Sequence, residues 1–367
     1  MDIYYSLVSL LICGMLFTWN SCKLDKKVFI FLSIIVIAIV AFREETIGMD
    51  TMNYLYFFND PYAGYSDGRS IEEMEPAYTI LNIILYAIFP DNNVFIFVTS
   101  LLTMIPMIVG IYRYSCKRVF SLFLFVTAGT LLSFYVYYFS MIRQCLAISC
   151  LYMAVFSLLK NELRYKVHTI LLIILGICFH YSSVVALPFF LMRKFEIRTK
   201  VYISLLLLSL IIAVSANLFN LSSYVDLIFS FTGRDLSFYF SASKDLNSNW
   251  MAFVPTSLIA FVLYCFGSIT TKNNLFVRIY SYGVLLNNVF SQLMPTNSDR
   301  FVLFYIISLI WVLPLMMQDR KIPFYMRGGL LMVSSCYFIY KFNIVLDYYI
   351  DNKDFIDGIA PYKSILF

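Results

Sequence analysis

Long apolar runs separated by short polar breaks fill the chain, and the breaks differ in charge. Ile3–Trp19, Val28–Phe42, Val94–Tyr112, Val119–Phe134, Met141–Leu159, Val201–Leu218, Met251–Thr270, Ile279–Met294, Phe301–Met317 and Gly328–Leu346 each approach the ~20 residues that cross a bilayer as helix. The breaks Cys22–Lys27, Arg113–Arg118, Lys160–Lys166, Arg193–Lys200, Thr271–Arg278 and Asp319–Arg327 all carry Lys or Arg, which places them on the cytoplasmic face. The segments Arg43–Glu75, Phe219–Trp250 and 295–300 and the tail Asp347–Phe367 then face outward. Two apolar pieces depart from full spans. Pro76–Phe89 would rise only ~21 Å as helix against a hydrocarbon core of ~30 Å, which predicts a membrane-dipping or outer-face helix. Val167–Met192 lies between two basic breaks, so it goes out and back within a length too short for two spans. Its bend falls at Phe179-His180-Tyr181-Ser182-Ser183, and a broken helix pair of this kind needs shielding by protein or a cavity.

The predicted class is therefore all-α: a polytopic transmembrane helix bundle with one or two short or broken helices and outer-face loops, one domain over residues 1–367. Composition agrees, with 61% hydrophobic and 13% charged residues. Continuous apolar runs are not the alternating pattern of a membrane β-barrel. The net charge of +5 sits mainly in the basic breaks, so it sets orientation and does not point to nucleic acid. Met1–Asn20 has no basic leader or small-residue cleavage site, which predicts a retained first span. The eight cysteines avoid the long outer loops and show no CxxC spacing, so neither a disulfide framework nor a metal site is predicted. Two histidines without HExxH spacing, and no GxxxxGK[ST], exclude the familiar zinc and nucleotide sites.

Charge on the outer side needs a separate cause. Arg43, Arg143, Arg234 and Arg300 all fall there, where orientation rules ask for no cation, and an anionic ligand supplies the reason. Arg43–Glu75 sets two arginines against eight carboxylates. In it Gly48 permits a turn and Asp50-Thr51 can cap a following helix that carries Tyr54. A capped loop with a solvated charge cluster explains these residues as well as a site does. Glu75-Pro76, with Tyr78 beyond, fits a helix start as well as a site. Arg143 and Gln144, after Ser140, open an otherwise apolar helix, and an intramembrane arginine suggests function unless it snorkels to headgroups. His180 at the bend is either a hydrogen-bonded core histidine or a catalytic one, whereas His168 looks like interface filler. Asn297-Ser298-Asp299-Arg300, with Tyr305 one to two turns on, reads as a cap with a headgroup-facing arginine or as a second anion site. Aromatic clusters at Tyr54–Phe58, Phe134–Phe139 and Phe238–Phe240 suit an interfacial belt, sugar-stacking platforms, or both.

These motifs, read in order, are FR....G.DT..Y, E.AY, IRQ..A, FHYSS..A.P and DR....Y. From Arg43 to Tyr305 they resemble the EpsG-type family of Wzy-like polysaccharide polymerases, with Glu-Glu-Thr-Ile between Arg43 and Gly48 as a departure. The resemblance implies transfer of a growing glycan from its polyprenyl-diphosphate carrier onto the next lipid-linked repeat unit. It implies work at the outer face of the bacterial inner membrane, beside membrane lipid, a flippase and a chain-length regulator; no metal-ligand set is evident in the sequence, so neither metal nor cofactor is expected. Arg143 and Arg300, with Arg43 auxiliary, would hold diphosphate oxygens, and Tyr54, Gln144 and Tyr305 would line the substrate. The acceptor hydroxyl would lose its proton to Glu75, then His180, then Asp50 in order of preference. A glycan ligase would use the same parts. An exporter of lipid-linked glycan is the alternative from another class, but its usual repeated halves are not visible here.

Overall fold

The computed structural model describes residues 2–60, 74–129, 132–160, 163–194, 196–218, 250–293, 295–351, 359 and 362–366. Helices account for its regular structure, and there is no strand among the described residues. In chain order they are α1 (Asp2–Thr18), α2 (Cys22–Ala41), α3 (Thr51–Asn59), α4 (Pro76–Ile88), α5 (Asn92–Tyr114), α6 (Arg118–Thr127), α7 (Phe134–Ser140), α8 (Ile142–Leu159) and α9 (Leu163–Phe179). A 3-10 turn, Tyr181–Ala186, leads to α10 (Pro188–Met192), α11 (Thr199–Leu218), α12 (Trp250–Phe266), α13 (Ile269–Lys272), α14 (Leu275–Leu293), α15 (Pro295–Ile306), α16 (Leu309–Gln318) and α17 (Phe324–Asp351). Among the described residues, five segments are long and apolar enough to cross a membrane: Asn92–Tyr114, Ile142–Leu159, Thr199–Ala216, Arg300–Gln318 and Phe324–Asp347. The chain is an all-α, multi-pass membrane protein.

Two compact units form. One comprises Met1–Ala128, Leu132–Phe190 and Tyr337–Phe367, the other Gly129–Leu131 and Leu191–Cys336. Lipid is as apolar as leucine, so helices associate through close packing and interhelical hydrogen bonds rather than through burial from water. In the first unit Ser149 Oγ donates to the Thr103 carbonyl at 2.6 Å and the Tyr135 hydroxyl to Val36 at 2.7 Å. Gly110 lies under the Phe156 ring, where a Cβ would come within 2.2 Å of a ring carbon. In the second unit Tyr280 donates to the Thr256 carbonyl and Tyr202 to that of Ser281, both at 3.0 Å.

Each unit gathers basic breaks at one end. In the first, the Asp25 carboxylate accepts from the Arg118 and Val119 amides at 3.0 and 3.1 Å and pairs with the Arg118 guanidinium at 3.4 Å. Lys117 Nζ donates to the Trp19 carbonyl, and the Tyr114 hydroxyl reaches the Phe156 carbonyl near the end of α8. Cys22–Lys27 and Arg113–Arg118 thus share an end, so α2 leaves it, α5 returns to it, and the 13-residue α4 makes no crossing of its own. In the second unit Arg278 Nη1 donates to the carbonyls of Met192 and Arg193, Lys272 reaches Thr199, and the Ser268 amide donates to Asp319.

Three expectations change. Val119–Phe134 is not one span: α6 stops at Thr127, and α7 starts at Phe134 behind Ser133, whose hydroxyl accepts from the Val136 amide at 3.3 Å. Ser133 caps a helix where its apolar neighbours suggest continuation. Phe301–Met317 keeps its span within the crossing-length stretch Arg300–Gln318, although a local turn, where Ser308 Oγ bonds the Tyr305 carbonyl at 2.6 Å, separates α15 from α16. Because α15 starts at Pro295, Asn297–Arg300 lie inside it rather than ahead of it. The aromatic clusters 54–58 and 134–139 are also not open platforms. Tyr54, Phe57, Phe58 and all of Phe134–Phe139 are buried, and only Tyr56 in these two groups is exposed. Phe238–Phe240, Arg234 and Arg69 lie outside the described residues.

Candidate active site

Glu75 stands immediately before α4, with Pro76 in the first helical position. Its carboxylate makes no cap for that helix. Oε2 accepts from Arg143 Nη1 at 2.6 Å, and Oε1 lies 2.9 Å from His180 Nδ1. Arg143 is the second residue of α8, and His180 occupies the break between α9 and the 3-10 turn. Three remote points of the sequence thus meet in one unit, with side chains 7% (Glu75), 21% (Arg143) and 19% (His180) exposed. A cation in the first turn of α8 opposes the positive end of the helix dipole, and the Glu75 carboxylate offsets that. Met74 Sδ is 3.2 Å from Arg143 Nη1, and the rings of Tyr54 and Tyr78 each lie 5.8 Å from the guanidinium carbon. Nη1 is engaged, while Nε of Arg143 is buried without a hydrogen-bond partner.

Burial alone would raise the Glu75 pKa. The His180 hydrogen bond and the charge of Arg143 outweigh burial and bring it down to about 2. Its contribution to stability is therefore complete above the ordinary carboxylate pKa of ~4.3 and is lost as pH falls through about 2. The difference in thermal midpoint between the native protein and Glu75→Gln should hold at neutral pH and shrink below about pH 4. A difference that grows on acidification contradicts the ion pair.

Arg43 does not join this cluster as an anion ligand. It is 1% exposed. Nε donates to Ile47 O at 3.1 Å, Nη1 to Val40 O at 2.7 Å and Ser100 Oγ at 3.0 Å, and Nη2 to Phe139 O at 3.3 Å. Gly48, at φ 111°, completes the turn; a Cβ there would sit 2.3 Å from the Phe139 carbonyl oxygen. Gly48→Ala should lower stability by at least the ~1–3 kcal/mol of a strained backbone, read as a fall in thermal midpoint in detergent; an unchanged midpoint contradicts the turn.

Tyr54 is buried with its ring toward Arg143, and Gln144 is buried within α8. Asp50 is half-buried before α3 and makes no side-chain cap there. Arg300 and Tyr305 belong to the second unit. Arg300 is exposed on α15, whereas Tyr305 is fully buried, 5.5 Å from the Tyr282 ring and against Gly283, so it presents no open face to a sugar. Tyr78 was visible only as part of a motif. Its spacing of three from Glu75, one helical step around α4, was the signal that both face Arg143.

Membrane-crossing helices with a carboxylate–arginine–imidazole cluster at one helix end define a multi-pass membrane protein with a polar site held among its helices. The EpsG family model matches residues 26–364, and the chain belongs to the EpsG family, a family of Wzy-like polymerases. Membership gives it a polysaccharide-polymerase-like role in polysaccharide biosynthesis. No curated protein and no solved structure matches the chain.

Proposed function

We propose that this chain polymerises polyprenyl-diphosphate-linked oligosaccharide repeat units at the outer face of the bacterial inner membrane. The observation that carries this reading is the bridge of Glu75 between Arg143 and His180. In the proposed step an acceptor sugar hydroxyl attacks the anomeric carbon of the donor glycan. The bond from that carbon to the carrier diphosphate breaks, and the diphosphate leaves with the electron pair. The hydroxyl proton passes to His180.

Glu75 is demoted as the base in this account. A carboxylate with a pKa of about 2 and both oxygens engaged has little affinity for a proton near neutral pH. Its role is to hold the Nδ1–H tautomer of His180, so that Nε2 carries the lone pair. Asp50, third in the expected order, is not needed by this scheme. Arg143 keeps one guanidinium edge on Glu75 and offers Nε on the other to the leaving diphosphate, where charge builds in the transition state. Arg300 is proposed as a diphosphate ligand carried by the second unit, tested by glycan chain length in Arg300→Lys.

Arg143 begins α8 and Lys160 follows its end, about 26 Å away along the helix axis, which sets the cluster at the end opposite the basic breaks. By the positive-inside rule this supports an exterior position for the cluster. Single cysteines at Asp67 and Lys321, in a background without the native eight, should label from opposite sides of the membrane. Labelling from the same side would sink the orientation. A flippase that delivers lipid-linked units and a chain-length regulator are the partners this reading proposes. A deletion strain tests the activity itself. It should accumulate lipid-linked single units while a one-unit cap still reaches the surface. Loss of all surface glycan would count for a ligase or an exporter instead.

A further inference from the structure

We infer that Arg43 is a positioning residue: the hub of a turn that fixes the backbone ahead of Arg143 and the aromatic wall beside it. The inference rests on the proposed diphosphate role of Arg143.

The turn from Arg43 to Thr51 grips the junction between α7 and α8 at two successive residues. The Phe139 carbonyl accepts from Arg43 Nη2 at 3.3 Å and from Thr51 Oγ1 at 3.3 Å, and Gly48 packs directly on it. Ser140 Oγ accepts from the Met49 amide at 3.2 Å. Arg143 follows three residues later as the second residue of α8, so these contacts set where its helix starts. The turn also opens α3 at Thr51, and Tyr54 on the first turn of α3 lies against the Arg143 guanidinium. Arg43 ties the two routes together, because its guanidinium bonds Ile47 inside the turn, Val40 at the end of α2, Ser100 on α5 and Phe139.

A strap from near the end of the chain closes the hub. The Ile365 amide and Ser364 Oγ donate to the Phe42 carbonyl at 3.1 and 3.0 Å, and the Glu44 amide donates to Lys363 O at 3.1 Å. The Tyr362 hydroxyl reaches the Ile39 carbonyl at 3.0 Å. Residues on both sides of Arg43 are therefore held by backbone pairing, while its own side chain is buried and bonded to protein groups. An arginine of this kind acts through the geometry it imposes.

The test uses the full chain in lipid nanodiscs. Affinity for polyprenyl diphosphate carrying no sugar is measured for the native protein, Arg43→Lys, Ser140→Ala, Arg143→Lys and each double variant with Arg143→Lys. In parallel, the Arg143 Nε resonance is followed in arginine-labelled protein, assigned by its disappearance in Arg143→Lys. Arg43→Lys and Ser140→Ala should each weaken binding by roughly 10- to 100-fold, the scale of a small misplacement of a binding group. They should shift the Arg143 resonance and add no further loss on top of Arg143→Lys. Losses that multiply with Arg143→Lys would mean that Arg43 touches the ligand independently, and an unmoved resonance in both variants would mean that it does not position Arg143; either overturns the inference. If Arg43→Lys does not fold, Ser140→Ala, which keeps the hub, decides by the same readouts. If the native protein does not bind polyprenyl diphosphate, the proposed function fails, and the resonance still decides whether the turn positions Arg143.

Discussion

His180→Ala should leave a folded, membrane-inserted protein that elongates glycan roughly 10²- to 10⁴-fold more slowly, the usual contribution of a positioned general base. His180 sits at a break where the chain has already left α9, so the substitution removes no helix. The imidazole bonds Glu75 through Nδ1, which directs its other nitrogen away from the carboxylate. Glu75→Gln tests the same assignment from the other side. It keeps the shape, but it removes the charge that holds Arg143 and offers an amide where His180 needs an acceptor. Elongation should fall in Glu75→Gln, and Glu75→Asp, which keeps the charge but shortens the reach, should restore part of it. The measurement is elongation rate at matched protein level. Near-native rates in His180→Ala would return the histidine to the role of a core hydrogen-bonding residue.

The second large effect belongs to Arg143→Lys. Lysine keeps the charge but loses the planar fork that serves two acceptors at once. Arg143 is proposed to serve two: Nη1 bonds Glu75, and Nε, buried without a hydrogen-bond partner, is the donor proposed for the diphosphate. A lysine must choose between them. Removing one transition-state donor costs about 10²- to 10³-fold in turnover, so the variant should yield mainly single-repeat product. If Arg143 merely snorkels to headgroups, lysine serves equally and long chains persist. The rings of Tyr54 and Tyr78 beside the guanidinium favour arginine further, since a flat delocalised cation stacks where an ammonium does not.

Much of this arrangement was legible from residue order. The apolar runs placed most helices within a few residues, because a bilayer sets their length and forbids lipid-exposed irregular backbone. The bend at His180 followed from a stretch too short for two crossings, and the Gly48 turn followed from a glycine in the polar stretch between two apolar helices. What stayed hidden depends on tertiary partners. Arg43 and Arg143 look alike in sequence, each an arginine at the end of an apolar helix. Only the fold shows that one meets a ring of carbonyl oxygens and the other a carboxylate. Glu75 read as a base because the implied reaction needs a group to take the acceptor hydroxyl's proton, and a carboxylate can do so. Its engagement by both neighbours, and hence its weakness as a base, needs residues 143 and 180 in place. The aromatic clusters misled for the opposite reason: rings that could face sugar or headgroups instead fill spaces between helices, as Phe58 does at 4.6 Å from Phe95. Ser133 starts a new helix where hydrophobicity alone extends the preceding one, because its hydroxyl competes locally for the backbone.

The most direct measurement takes the lipid-linked glycan extracted from the deletion strain and gives it to the purified chain in liposomes. The native protein should convert it into a ladder of lipid-linked products that grow by whole repeat units, with free polyprenyl diphosphate released at each step. His180→Ala and Arg143→Lys, at matched thermal midpoints, should leave the single unit. Single units that stay unchanged with the native protein, or that cross the bilayer intact, would contradict the account.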